Sequence, residues 1–424
     1  MREMKDSGIE WIGQIPSNWK IERMQWHLEE KNVGNNPVQT TNILSLTNKR
    51  GVIPYEEKGN QGNKSKEDVS GYKLAYPNTI VANSMNVIIG SVGLSKYYGC
   101  VSPVYYVFQA TNNANIEFFN YIFSVVGFQR ELRKYANGIL EIRLRVSADN
   151  ILKRPVAIPP DEEQARIVNF LNTKCSEIDA ISADIQKEIE ILEQYKRSVI
   201  TEAVTKGLNP DVKMKNSGMA WCRQIPAHWE PIPSKYLFHN SDTRKYPNDE
   251  LLTASQKYGI ISQTDYMLRE NASVVMANKG IENWKHIEPN DFVISLRSFQ
   301  GGLEMSEITG CVTWHYVVLK ASKQFYPRYF KWLFKSSKYI NALQSTCNFI
   351  RDGQDLRFSN FAKVPLFEPP YSEQVKISNY LDNKVTSIEY ALADKKKQLT
   401  VIDSYKKSLI YEYVTGKKEV PNEQ

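Results

Sequence analysis

The chain repeats itself at about half its length, and no other feature restricts its fold as much. Met4-Lys-Asp-Ser-Gly-Ile-Glu-Trp11-Ile-Gly-Gln-Ile-Pro16-Ser-Asn-Trp19 returns as Met214-Lys-Asn-Ser-Gly-Met-Ala-Trp221-Cys-Arg-Gln-Ile-Pro226-Ala-His-Trp229, with nine of 16 positions identical at an offset of 210. The same offset carries Pro159-Pro160-Asp-Glu-Glu163-Gln164-Ala-Arg-Ile167 onto Pro369-Pro370-Tyr-Ser-Glu373-Gln374-Val-Lys-Ile377, and Tyr195-Lys196 onto Tyr405-Lys406. Between these anchors Gly99-Cys-Val-Ser-Pro-Val-Tyr105 faces Gly310-Cys-Val-Thr-Trp-His-Tyr316, and Pro77-Asn78 with Val81 faces Pro289-Asn290 with Val293. A period this long in 424 residues is a domain duplication rather than a solenoid repeat. It also fits the expectation that a chain of this length folds as two or three domains.

Each half divides into a lobe and a helix. Residues 20–158 and 230–368 are rich in Tyr, Phe, Val, Ile, Gly and Asn, with alternating runs such as Ile80-Val81-Ala82-Asn83 and Tyr105-Tyr106-Val107-Phe108. These predict short strands, joined by helical pieces near 116–135 and 327–345, hence α+β lobes. After Pro159-Pro160, Asp161 with Gln164 three residues on reads as an approximate capping box opening a helix. Apolar residues follow at Ile167, Leu171, Ile178, Ile181, Ile185, Leu192, Tyr195 and Val199, a heptad spacing interrupted by Lys174 and Glu188. Ile377, Leu381, Ile388, Ala391, Ile402, Tyr405 and Leu409 repeat the pattern, with Lys395 and Gln398 on seam positions. The expected order is a first lobe with its lead segment (1–158), a central helix (159–213), a second lobe (214–368) and a C-terminal helix (369–424). Two such helices, 161–206 and 371–415, can pair as an antiparallel coiled coil, giving a pseudo-twofold α+β architecture.

Composition narrows the class. A hydrophobic fraction of 42% with 24% charged residues describes a globular protein. No stretch approaches the roughly 18 apolar residues that span a bilayer, and the charged N-terminus does not look like a signal peptide. Five cysteines (Cys100, Cys175, Cys222, Cys311, Cys347) lie far apart without a CxxC pair. That pattern predicts a reducing, cytoplasmic setting and neither a disulfide framework nor a structural zinc site.

Charge follows the same boundaries. Residues 20–158 hold 17 Lys+Arg against 11 Asp+Glu, residues 230–368 hold 17 against 14, and helix 161–206 holds 6 against 10. The positive excess therefore sits on the lobes, where a surface for nucleic-acid phosphates needs it. Basic residues interleave there with groups that read base edges or stack. In the first lobe these are Lys49 and Arg50, Lys64 and Lys66, Lys96 and Tyr97, Arg130, Arg133 and Lys134, and Arg143 with Arg145. In the second they are Arg244 and Lys245, Lys257 and Tyr258, Arg297, Ser298 and Gln300, Arg351 and Arg357. Arg and Gln can bond bidentately to a base in the major groove, while Lys and Ser mostly hold phosphates. Any one of them could equally be a solvated surface group; the aggregate carries the reading.

Resemblances to catalytic motifs dissolve on inspection. Gly59-Asn-Gln-Gly62-Asn-Lys64-Ser65 lacks the GxxxxGK[ST] spacing of a phosphate loop. Glu368-Pro369-Pro370-Tyr371 has Glu where an adenine methyltransferase needs Asn or Asp, and its repeat partner Ile158-Pro159-Pro160-Asp161 could do none of that chemistry. Five histidines (His27, His228, His239, His286, His315) show no metal-ligand spacing. Gly90-Ser-Val-Gly93 and Gly301-Gly302 read as turns.

The twice-used Trp-x-x-x-Ile-Pro-x-x-Trp lead, the Pro-Pro-x-x-Glu-Gln-x-x-Ile-x-x-Phe/Tyr-Leu helix start and the Gly99–Tyr105 segment resemble those of type I restriction–modification specificity subunits, over essentially the whole chain. The resemblance implies two target recognition domains, each reading half of a bipartite, asymmetric site in double-stranded DNA. It further implies a helical spacer that docks two methyltransferase subunits, joined by restriction subunits, and no catalytic site in this chain. S-adenosylmethionine, ATP and Mg²⁺ then belong to those partners, and no cofactor or metal to this chain. Glu163, Gln164, Glu373 and Gln374 are expected to order the helix starts, as caps or as subunit contacts. Thr313-Trp314-His315, standing where Ser102-Pro103-Val104 stand in the first lobe, implies that the lobes read different bases. Two alternatives remain at this stage: a self-contained restriction or methylation enzyme, and a coiled-coil scaffold that binds no DNA.

Overall fold

The computed structural model describes residues 2–47, 50–59, 68–137, 144–271, 280–296, 298–346 and 356–421. They form two compact units, one running to Ile185 and resuming at Lys397, the other spanning Gln186–Lys396. The two long helices are thus shared between units rather than set apart as separate segments.

In the first unit a four-stranded antiparallel sheet is built from β1 (Leu28–Glu30), β2 (Thr79–Asn83), β3 (Val92–Ser95) and β4 (Tyr105–Ala110), in the order β1-β4-β2-β3. β2 is buried at all five positions, as a β-branched central strand should be. Helix α1 (Ile116–Ser124) starts at Asn115, whose side chain accepts from the Glu117 and Phe118 amides. It turns Phe118, Phe119, Ile122 and Phe123 onto the sheet, and α2 (Val126–Arg133) adds Phe128 and Leu132. Strand pairing of Lys20–Arg23 with Pro155–Ile158 closes the lobe and delivers the chain to Pro159.

Next come α3 (Asp161–Lys206, 46 residues) and then the second lobe. Its strands β5 (Phe238–Ser241), β6 (Phe292–Ile294), β7 (Glu304–Met305) and β8 (Val317–Ala321) take the order β5-β8-β6-β7. Helix α4 (Pro327–Lys335) buries Tyr329, Phe330, Leu333 and Phe334 with the spacing of α1, and α5 (Ser337–Gln344) follows. Helix α6 (Tyr371–Val414, 44 residues) ends the fold. The small hairpins match as well: Met4–Asp6 pairs with Gln14–Pro16, and Met214–Asn216 with Gln224–Pro226. The expected duplication is therefore present in the sheets and not only in the anchors.

Local strain confirms the faint part of the repeat. Asn78 and Asn290 both take positive φ, 59° and 76°. A Cβ on Gly99 would stand 2.5 Å from the Asn42 carbonyl, and one on Gly310 2.6 Å from that of Glu250. Only glycine admits so close a backbone approach.

The helices pair antiparallel within each unit. Lys406 meets Asp179 at 2.6 Å in the first unit; Lys196 meets Glu389 and Lys395 meets Glu188, both at 2.5 Å, in the second. The seam frame differs from the expected one. Leu171, Cys175, Ile178, Ile185 and Ile189 are buried on α3, with Leu381, Val385, Ile388 and Leu392 on α6, whereas Ile181, Tyr195 and Tyr405 are exposed. Cys175 and Ile189 take the core positions beside Lys174 and Glu188, so heptad spacing survives without burying either charge. Among the described residues no helix is long and apolar enough to cross a membrane.

Candidate nucleic-acid interface

The first lobe distributes its expected contacts between both ends of the four-stranded sheet. Where β2 ends, the chain turns at Ser84, whose carbonyl accepts from Val146 N at 3.0 Å. Beside it Arg145 bridges Asn137 through two backbone hydrogen bonds of 2.9 and 2.8 Å. Asn137 lies just past α2, so Arg130, Arg133, Lys134 and Arg145, all exposed, form one connected run. Lys134 is shared between Glu131 at 2.8 Å and Glu10 at 3.5 Å. Lys96 and Tyr97, also exposed, follow β3 where Ser95 pairs with Thr79, at the other end of β2. There Tyr98 packs on Tyr76 and the Lys31 ammonium lies 4.0 Å from the Tyr76 ring centroid. Arg50 sits at the turn of the hairpin 44–54, held by the Glu57 carboxylate and carbonyl.

In the second lobe Lys257 and Tyr258 occupy the turn of the hairpin 252–262. Glu270 accepts from the Lys257 ammonium at 2.8 Å and from the Tyr258 hydroxyl at 2.6 Å. That pairing holds the ammonium above its ordinary value and the carboxyl below its own. A Cβ on Gly301 would stand 2.8 Å from the Gln256 side chain, so this turn is a neighbour of the exposed Gln300. Arg244 and Lys245 lie at the edge of a different strand pair: Arg244 bridges Lys285 and Lys245 N donates to the Trp284 carbonyl at 2.8 Å. Arg357 is exposed at the head of the turn 358–361.

Ser298 requires correction. It is 1% exposed, and its hydroxyl accepts from Ser295 N at 2.8 Å, so it shapes the turn after β6 and has no face toward a ligand. Lys49, Lys64, Lys66, Arg143, Arg297 and Arg351 lie outside the described residues.

The helix starts also differ from a capping box. Gln164 is buried and its amide donates to the Pro159 carbonyl at 2.9 Å; Gln374 does the same to Pro369 at 2.8 Å and accepts from Tyr326 N at 2.8 Å. Glu163 accepts from Trp19 Nε1 at 2.9 Å and Glu373 from Trp229 Nε1 at 3.0 Å. These four side chains therefore tie the lead segments and the Pro-Pro turns to the helices. Sequence reasoning held both members of each Trp–Glu pair but not the pairing; the signal was their common separation of 144 residues. Trp314 and His315, where the second lobe departs from Pro103 and Val104 of the first, are exposed on the turn before β8 with their ring centroids 3.5 Å apart. Among the described residues no group of three or more His, Cys, Asp or Glu side chains could hold a metal ion.

Each unit is thus a small sheet with a basic, aromatic-flanked surface, beside its own stretch of two antiparallel helices. Residues 21–191 match the family model described as the type I restriction modification DNA specificity domain. That match lies in the first half, and the second half repeats the first in sequence and strand order. The chain is similar to a curated protein of Methanocaldococcus jannaschii described as a type I restriction enzyme MjaX specificity subunit, 21% identical and covered to 96% of each chain. A chain solved in work on complex assembly and conformational transition of the type I R-M system shares the fold, with a TM-score of 0.68 at 12% identity, covering 95% of this chain and 99% of that one.

Proposed function

We propose that the chain reads a bipartite, asymmetric site in double-stranded DNA, one half-site per lobe, on behalf of a complex whose chemistry resides in other subunits. The observation that carries this is the duplication with divergence. The sheet, helices and Trp–Glu tie are repeated, whereas the exposed side chains that could reach bases are not. Identical scaffolds with different surfaces suit two half-sites of different sequence, separated by base pairs that no side chain contacts. The relative's description supports the same role, since it is a type I restriction enzyme specificity subunit along nearly its whole length.

In this reading two methyltransferase subunits dock on the chain, one for each repeat, and restriction subunits join them. S-adenosylmethionine, ATP and Mg²⁺ serve those partners, and the chain contributes position and selectivity instead of a reacting group. The test is a lobe exchange. Replacing residues 20–158 by the lobe of another family member, with the host methylome sequenced afterwards, is expected to change one half of the methylated motif and leave the other. A change in both halves, or in neither, overturns independent reading.

A further inference from the structure

In the first unit the Trp19–Glu163 tie has a third member. Arg2 donates through Nη1 to Glu163 Oε1 at 2.5 Å and through Nη2 to the Gly416 carbonyl at 2.9 Å. Its guanidinium carbon lies 5.5 Å from the Trp19 ring centroid. The cation thus fills a niche made of one carboxylate, one helix C-terminal carbonyl and one indole face, three acceptors that suit a planar fork.

The second unit has the same niche without the arginine. Strands 214–216 and 224–226 pair in the register of 4–6 and 14–16, and Ala227 N donates to Lys213 O as Ser17 N donates to Glu3 O. Val212 therefore stands where Arg2 stands. Glu373 keeps its bond from Trp229, and Gly207 ends α3 with φ +75° as Gly416 follows α6 with φ +71°. What remains is a cavity of about 230 Å³ lined by Gly207, Leu208, Val212, Pro226, His228 and Glu373. His228 Nε2 lies 2.6 Å from Glu373 Oε1, the oxygen that Arg2 takes in the first unit; it is 43% exposed and lies at the position of Asn18.

We propose that this cavity is a receptor for an arginine side chain presented by another protein chain, with Glu373 Oε1 released by His228 as the anchoring acceptor. The occupant is argued from the counterpart niche, where this fold already holds a guanidinium on the matching carboxylate. Lys376, which also lines the cavity, occupies the sequence position of Arg166 in the first half. The apolar remainder, Leu208, Val212 and Pro226, suits the methylene stem of arginine. The site is independent of the DNA-reading role.

The experiment uses the full chain with L-argininamide as probe and L-lysinamide as control, followed by ligand-observed NMR. Saturation transfer to argininamide is expected, exceeding that to lysinamide because only the planar fork spans two acceptors. H228N, which copies Asn18, frees Oε1 and should tighten argininamide binding by about threefold to tenfold. V212R supplies the cation internally: it should abolish the argininamide signal and raise the unfolding midpoint by about 2–4 °C over V212K. V212R adds a group to a folded site, so it remains informative even where E373Q fails to fold. An argininamide signal equal to that of lysinamide, or one that persists unchanged in V212R, overturns the proposal.

Discussion

Trp19 Nε1 donates to Glu163 Oε2 at 2.9 Å, and 210 positions later Trp229 Nε1 donates to Glu373 Oε2 at 3.0 Å. Both indoles are fully buried. A buried indole N–H needs an acceptor, and a carboxylate at a helix start is favoured by the dipole. One bond therefore serves both groups and fixes the lead segment against the first turn of each long helix.

Breaking that bond from the two sides should have unequal consequences. W19F leaves a 9%-exposed carboxylate short of a donor as well as opening space, and should destabilise by about 2–4 kcal/mol. E163Q keeps an amide oxygen for Trp19 and loses only the charge toward Arg2, costing about 1–2 kcal/mol. Urea unfolding of the two variants checks this; equal losses would place the energy in the charge of Glu163 rather than in the packing of Trp19.

The seam offers a second test. Lys395 and Glu188 meet at 2.5 Å with side chains 30% and 53% exposed, flanking a seam whose core holds Ile189 and Leu392. Such a pair contributes little stability, of order 0–1 kcal/mol, but penalises other registers. E188K should lose stability by about 0.5–1 kcal/mol, and E188K/K395E should recover most of it. A double variant no better than the sum of its parts would remove the pair from any role in register.

Much of this was legible in the sequence because it rests on local or periodic signals. The starts of the long helices at 161 and 371 follow from Pro-Pro turns, and the paired lobes follow from the 210-residue offset. The seam frame was misplaced by one residue at Cys175 and Ile189, since a heptad with polar interruptions admits neighbouring frames until a partner helix chooses among them. Ser298 looked like a polar reader in a basic loop; only tertiary structure shows that its hydroxyl is spent on Ser295 N. The Trp–Glu tie joins residues 144 apart, beyond any local pattern.

Exposure ranks the candidate DNA contacts. With exposed Arg133, Lys134 and Arg145 in one run, binding of DNA under the proposed function should weaken linearly in log–log salt titration. R145A should lower that slope by about one if the side chain neutralises a phosphate. S298A should leave the slope unchanged while costing about 1 kcal/mol of stability, because its partner amide is buried with it. A flat salt response would sink the DNA-binding reading.

Thiol chemistry gives a prediction independent of DNA. Cys100, Cys175, Cys222 and Cys311 are free and buried, and burial raises each thiol above its ordinary value. Cys311, next to Asp249, is pushed up to about 11. Reactivity needs the thiolate and access to it, so none of the four should alkylate in folded protein at pH 8. Mass spectrometry after brief iodoacetamide treatment reads this directly, and a modified Cys311 would show that the strand pair opens.

Finally, Glu304 on β7 is 6% exposed and bonded to Lys335, with Lys331 close by on α4. Burial outweighs both ammonium groups and lifts its carboxyl above the ordinary 4.5. The folded state therefore holds this proton more tightly than the unfolded chain. Its contribution is fully present below the unfolded value and is lost as pH rises through the folded one. Against E304Q, which cannot titrate there, the native chain should gain relative stability as pH falls from 7 toward 4.5. Chemical unfolding of both proteins across that window measures the difference. A gap that stays constant, or widens in the opposite direction, would mean that Lys335 and not burial governs the site.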